Sequence, residues 1–225
     1  MKRTIIIGDV HGCFDELSEL LEQCRFLPKK DRLIFLGDLI NKGPLSKEVV
    51  RFVREGNHEC ILGNHELGFL KSLEDSHFFK KGFKAFHNSY KGKKEESERE
   101  EVINWMKKLP LYIEDKSFIC IHGGLQPDVP LKKQKREIAT KIRTWGGDVT
   151  DMDNPGDPAW YELYKKKKLV VFGHWAMRGL VERENVIGLD SGCVWGGSLS
   201  CLILPEKRIL SVPAKKCYRI PTSKA

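Results

Sequence analysis

Five short apolar runs, each closed by glycine and a polar residue, constrain this chain more than any other feature. Ile5–Ile7 runs into Gly8-Asp9-Val10-His11-Gly12, and Leu33–Leu36 into Gly37-Asp38. Cys60–Leu62 leads to Gly63-Asn64-His65-Glu66, Phe118–Ile121 to His122-Gly123-Gly124, and Leu169–Phe172 to Gly173-His174. Runs without polar alternation read as strands covered on both faces. Phe14, Leu17, Leu20, Leu21 and Cys24 fall at helical spacing after the first run, as do Val49, Val50 and Val53 after the second. Strand and helix in alternation predict βαβ units, a parallel sheet and an α/β fold. The carboxyl ends of such strands converge on one crevice. The glycines beside the polar residues permit tight turns and close backbone approach.

The remainder is less regular. Lys91–Glu101 is nearly all charge and reads as an exposed loop or a helix start. Val102, Trp105, Met106 and Leu109 continue with one apolar stripe, so a helical, charged insertion is predicted near 75–110. Further strands are predicted at Ile187/Leu189, Leu199–Leu204 and Ile209–Val212, followed by a short basic tail. No repeat or linker divides the chain, and 1–225 reads as a single domain. Seven cysteines without a C-x-x-C pair argue against a structural zinc site or a disulfide framework and for reduced thiols in a cytoplasm. No apolar stretch of spanning length occurs, and the three isoleucines near the start are too few for a signal peptide, so no membrane association is predicted. The formal charge of +8 favours anionic ligands without choosing among nucleotide, polyphosphate and nucleic acid.

Asp9, His11, Asp38, Asn64, His122 and His174 form a donor set of carboxylate, imidazole and amide with no thiolate. Such donors suit hard or borderline divalent cations. Singly, an Asp after a strand is more often a cap and a lone His more often structural. Five strand ends all carrying such residues are hard to obtain from turns alone. Six donors exceed the need of one ion but match two ions about 3.5–4 Å apart sharing a carboxylate, an arrangement suited to phosphoryl chemistry.

GDVHG, GD-x-x-x-x-G, GNHE, HGG and GH, in this order, resemble the binuclear metallophosphoesterases of the phosphoprotein phosphatase superfamily. GDVHGCFDEL (8–17), GDLINKGPLS (37–46), ILGNHEL (61–67), FGHWA (172–176) and LDSGCVWGGSLSCL (189–202) resemble, more narrowly, the symmetrical diadenosine tetraphosphatases and phosphatases similar to them. The resemblance implies a calcineurin-like sandwich of two central β-sheets flanked by helices. It implies that Asp9, His11 and a bridging Asp38 hold one metal, and Asp38, Asn64, His122 and His174 the other. Manganese is the usual activator of that family, with zinc, iron, cobalt or magnesium as alternatives. His65 matches the general acid, and the implied reaction is in-line attack by a hydroxide shared between the ions, splitting diadenosine tetraphosphate into two ADP. Protein serine/threonine phosphatase, polyphosphatase and RNA-cap hydrolase are the alternatives on the same site; the substrate is a dinucleoside polyphosphate, or else a polyanion or phosphoprotein.

The departures are informative. Protein phosphatases carry Asp-Arg where this chain has Asn41-Lys42, and an Arg where it has Leu62. An Asn can accept a hydrogen bond from His65 but brings no charge to steady an imidazolium. Lys42 can hold phosphate only as a point charge. These losses weigh most on an alkoxide leaving group and least on a nucleoside polyphosphate. The competing reading is that Asn41 closes a turn. Arg143 aligns with an arginine that the tetraphosphatases place near substrate; otherwise it is a surface cation. Trp145, Trp160, Tyr161, Trp175 and Trp195 are candidates to stack on a base, although aromatics are more often core. Cys13 and Cys193 sit inside signature turns, where packing is the predicted role. The chain is shorter than a typical tetraphosphatase, with the shortening expected between His122 and His174 and an open cleft as its consequence.

Overall fold

The structure, a computed structural model, describes residues 3–75 and 81–220. In chain order it forms β1 (Thr4–Ile7), α1 (Phe14–Gln23), β2 (Arg32–Phe35), α2 (Ser46–Glu55), β3 (Glu59–Cys60), α3 (Asn64–Glu74), α4 (Lys81–Asn88), α5 (Lys93–Lys107), β4 (Tyr112–Glu114) and β5 (Phe118–Ile121). There follow α6 (Arg136–Ala139), β6 (Leu169–Phe172), β7 (Val181–Arg183), β8 (Val186–Gly188), β9 (Ser198–Leu204) and β10 (Arg208–Pro213). The strands make two five-stranded sheets, ordered β10-β9-β1-β2-β3 and β4-β5-β6-β8-β7. β1 pairs parallel with β2, and β2 with β3, while β9 runs antiparallel to β1. In the second sheet β5, β6 and β8 are mutually parallel, with β4 and β7 antiparallel at the edges.

The single parallel sheet read from the alternation is therefore corrected to two mixed sheets, the architecture the family resemblance implies. Residue period explains the apolar runs. Ile5 and Ile7 face one core while Ile6 faces another; Leu33 and Phe35 divide likewise from Ile34 and Leu36. In the second sheet Phe118, Cys120, Leu169 and Val171 face the first sheet, and Ile119, Ile121, Val170 and Phe172 face away. Successive strand residues point to opposite faces, and here both faces are covered, so neither can be polar. Each fully buried aliphatic side chain contributes about 1.5–3 kcal/mol.

The helices α1 and α2 lay Leu17, Leu20, Val49, Val50 and Val53 on the outer face of the first sheet. Within 75–110 the described residues form α4 and α5 with a turn between them, and residues 76–80 lie outside the described residues. Phe83, Phe86, Tyr90, Val102 and Met106 join that same core. The charged run at 91–101 forms the start of α5, because α2 supplies its counter-charges: Arg51 Nε donates to Glu98 at 2.5 Å and Arg54 Nη1 to Glu101 at 2.6 Å. The basic tail packs through residue 219, where Tyr218 and Arg219 N–H groups both donate to Val194 O at 3.1 Å; residues 221–225 lie outside the described residues.

Candidate active site

The five strand-end turns meet along one edge shared by both sheets. β1, β2 and β3 deliver Asp9, His11, Asp38, Asn64 and His65 from the first sheet; β5 and β6 deliver His122 and His174 from the second. Several residues here take left-handed backbone rare outside glycine: His11 (φ 46°), Asp38 (φ 50°), Asn41 (φ 75°), Lys42 (φ 70°) and His174 (φ 67°). Such strain gathers where the surroundings over-determine it. Glycine is required where loops cross at close range: a Cβ on Gly173 would collide with the Asp9 carboxylate, and one on Gly63 with that of Asp38.

Asp38 stands at the middle. One donor atom from each of His11, Asp38 and His65 lies within 4.8 Å of the others, and so it is for Asp9, Asp38 and His122. His11 Nε2 is 3.4 Å from Asp38 Oδ2, and His122 Nε2 is 3.4 Å from Asp38 Oδ1, so the carboxylate is approached from both sides. Asn64 Oδ1 lies 2.9 Å from both His122 Nε2 and His174 Nδ1. Asp9 accepts the His174 N–H at 3.0 Å.

The imidazoles are oriented from behind. His11 Nδ1 bonds Ile40 O at 3.0 Å, His122 Nδ1 bonds Leu36 O at 2.7 Å, and His174 Nε2 bonds Lys141 O at 3.0 Å. A ring nitrogen facing a carbonyl must carry the proton, so the opposite nitrogen presents a lone pair to the centre. Burial holds all three rings in the neutral form: His122 is pushed down to about 4, and His11 and His174 well below the usual imidazole range. Burial also raises the Asp38 carboxyl to about 7, and burial with Asp190 and Asp38 raises Asp9. Imidazole lone pairs converging on buried carboxyls that give up their protons to a cation are what a divalent metal requires. The residues present therefore fit a metal centre.

Two buried groups escaped the sequence reading. Asp190, after β8, is bonded to Asp9 and accepts the Gly192 N–H at 3.2 Å. It repeats the strand, acid, glycine pattern (LDSG), and that signal was available. Glu66 is fully buried and accepts N–H groups of Asp38 (2.8 Å), Leu39 (2.9 Å), Ile40 (3.3 Å) and Gly63 (3.2 Å). It fastens the Asp38 turn to the start of α3, and burial raises it to about 7.

One expectation changes in detail. Asn41 Oδ1 accepts the Lys42 N–H at 3.0 Å, so its Nδ2 faces His65 Nδ1, also at 3.0 Å. Asn41 thus donates to His65 rather than accepting from it. Lys42 Nζ lies 2.8 Å from His11 Nε2 and 5.0 Å from the Trp195 ring centroid, among the carboxylates. Arg143 lines a cavity of about 290 Å³ with Asn64, Lys141, Met152, Asp153 and His174, and pairs with Asp153 at 2.6 Å. Trp160 and Tyr161 are core residues, whereas Trp145, Trp175 and Trp195 are half-buried.

A model of the calcineurin-like phosphoesterase family matches residues 2–207. The chain belongs to the calcineurin-like phosphoesterases. Among calcineurin-like phosphoesterases it is similar to a protein of Aromatoleum aromaticum named symmetrical bis(5'-nucleosyl)-tetraphosphatase: 30% identical, covering 93% of this chain and 96% of that one. A Vibrio campbellii protein of the same name is 30% identical over 94% of this chain and 98% of its own length. The first of these alignments runs over 267 positions, so the relative carries segments that this phosphoesterase of 225 residues lacks. A solved structure described as a candidate diadenosine tetraphosphatase superposes with a TM-score of 0.82 at 34% identity, over 95% of this chain and 94% of its own. A metallophosphoesterase of Sphaerobacter thermophilus shares the fold alone, with a TM-score of 0.59 at 17% identity.

Proposed function

We propose that this phosphoesterase hydrolyses phosphoanhydride bonds of dinucleoside polyphosphates, splitting diadenosine tetraphosphate symmetrically into two ADP. The observation that carries this reading is the donor that Asn41 turns toward His65, 3.0 Å away. A neighbour that donates to Nδ1 favours the uncharged ring and gives an imidazolium no counter-charge. His65 is then a modest proton source, sufficient for a nucleoside diphosphate that leaves as a stable anion and poor for a serine alkoxide. The names of the relatives agree with this substrate class.

Asp9, His11 and Asp38 would hold one divalent cation, and Asp38, Asn64, His122 and His174 the other. Divalent cations there supply Lewis-acid polarisation of the phosphoryl group and of water. Manganese is the proposed metal. Among this chain's own groups, Arg143 exchanges Asp153 for phosphate oxygens at the 290 Å³ cavity. Lys42, on its long stem, turns from His11 to the same charge, and His65 Nε2 holds the proton for the departing oxygen. The segment between His122 and His174 is the proposed place of the shortening, which leaves the cleft open. Among the described residues no helix is long and apolar enough to cross a membrane; a cytoplasmic location is proposed from the spacing of the seven cysteines in the sequence.

Product analysis on a panel of diadenosine tetraphosphate, inorganic polyphosphate, a capped dinucleotide and a phosphoserine peptide tests the reading. ADP as the sole nucleotide product, at the highest kcat/KM of the panel, is expected. Preference for the peptide or for polyphosphate overturns it.

A further inference from the structure

Behind the loops that carry Asp9, His11 and Asp190 lies a second donor cluster that the phosphoesterase chemistry does not use. Cys13 follows the His11-Gly12 turn and heads α1, Glu16 sits in the first turn of that helix, and Cys193 opens the short 3-10 turn Cys193–Trp195. A donor atom from each lies within 4.8 Å of the others. Their exposures are 1%, 0% and 2%. Glu16 Oε1 accepts the Lys215 N–H at 2.9 Å and the Tyr218 hydroxyl at 2.8 Å. Glu16 Oε2 is buried with no partner among the described residues.

Two thiols alone would be ordinary packing. A buried carboxylate oxygen with no donor is different, because a desolvated lone pair needs a proton or a cation. Tetrahedral zinc with sulfur at about 2.3 Å and oxygen at about 2.0–2.2 Å places such donors about 3.5–3.8 Å apart, inside the 4.8 Å that bounds this cluster. Sulfur donors also separate the site from the oxygen-and-nitrogen centre nearby, which suits harder cations.

We propose that Cys13, Glu16 and Cys193 form a further metal site, specific for a thiophilic divalent cation of the zinc class. On loading, each thiol releases its proton to water, and the two thiolates and the Glu16 carboxylate bind the ion. No electrons are exchanged. The strap of residues 214–219 covers the cluster: Ala214 N donates to Gly197 O at 2.8 Å, and Tyr218 N and Arg219 N to Val194 O. The ion therefore enters as the chain folds or when the strap lifts. Once seated, it ties the Asp9/His11 loop to the Asp190 loop, so its role is structural.

The full-length chain, purified with zinc and freed of excess metal, tests this by elemental analysis and by cobalt substitution. The expected results are one zinc per chain beyond those of the oxygen-and-nitrogen centre, and a thiolate-to-cobalt charge-transfer band in the near ultraviolet. Cys13→Ala and Cys193→Ala each lose that equivalent and weaken the band. Should either variant fail to fold, the wild-type cobalt spectrum decides alone, because an oxygen-and-nitrogen centre gives no thiolate band whatever its substrate. Absence of the band overturns the proposal. So does an intact mass lower by two hydrogens with no extra metal, which would mean a Cys13–Cys193 disulfide.

Discussion

Asn41 and His65 concentrate the question of substrate in one contact of 3.0 Å. His65→Ala is expected to lower kcat on an alkyl phosphate by about 10²–10⁴-fold, the usual worth of general acid help, and much less on an anhydride. Equal losses on both would refute the leaving-group argument. Asn41→Asp gives Nδ1 a charged acceptor and should raise activity on a phosphoserine peptide while leaving diadenosine tetraphosphate nearly unchanged. Glu66→Ala acts on stability. It strips the buried N–H groups of Asp38 and Leu39 of their acceptor, at about 1–3 kcal/mol each, and urea unfolding should read a loss of about 3–5 kcal/mol. The candidate donors Asp9, His11, Asp38, Asn64, His122 and His174 could be read from sequence because each lies at the end of an apolar run with a glycine close by. Glu66 could not, because its task is to accept backbone N–H groups from a turn 26–28 residues away, which leaves no local pattern.

At the scale of elements, short strands ending in left-handed turns fix the donors before any ligand arrives. The anchored His122, pushed down to about 4, is already unprotonated near neutrality, whereas Asp38, pushed up to about 7, is not. Proton and cation compete for the Asp38 carboxyl, so acid weakens metal binding. The apparent Mn2+ affinity should rise with pH, about tenfold per pH unit between pH 5.5 and 7 for each proton displaced, Asp38 supplying one and the raised Asp9 carboxyl a further one. Calorimetry in two buffers of different ionisation heat counts those protons; a flat affinity across this range would contradict the assignment. Long or wholly apolar elements were legible: β1, β2, β5, β6, α1 and α2 all coincide with the runs that predict them. β4 and β7 were not, being three residues each and mixed in polarity, and β3 is only two residues because the chain leaves the sheet early to reach Gly63. α5 escaped as a firm expectation because its partners, Arg51 and Arg54, lie on another helix.

At the scale of the molecule, sequence order suggested one sheet where there are two. Each strand was correct, yet the pairing of β9 with β1 joins residues some 200 positions apart, and no local period encodes that. A seam of apolar side chains, Ile6, Ile34, Leu36 and Ile61 against Phe118, Cys120, Leu169 and Val171, holds the sheets face to face. Arg32 of β2 pins the seam far from the site, pairing with Asp115 of the β4–β5 turn at 2.6 Å. The whole-molecule charge of +8 bears on the rival substrates. Activity on diadenosine tetraphosphate should fall only modestly between 50 and 200 mM salt, because few phosphates are contacted; a fall of 10³-fold or more would mark a long polyanion as the true partner. The division of donors between the two sheets has a mechanical corollary. One proposed ion would draw on Asp9, His11 and Asp38 of the first half alone, whereas the other would also need His122 and His174 of the second, so any force or pressure that parts the halves would free that second ion first, and its residence time would become a clock for how often the halves breathe.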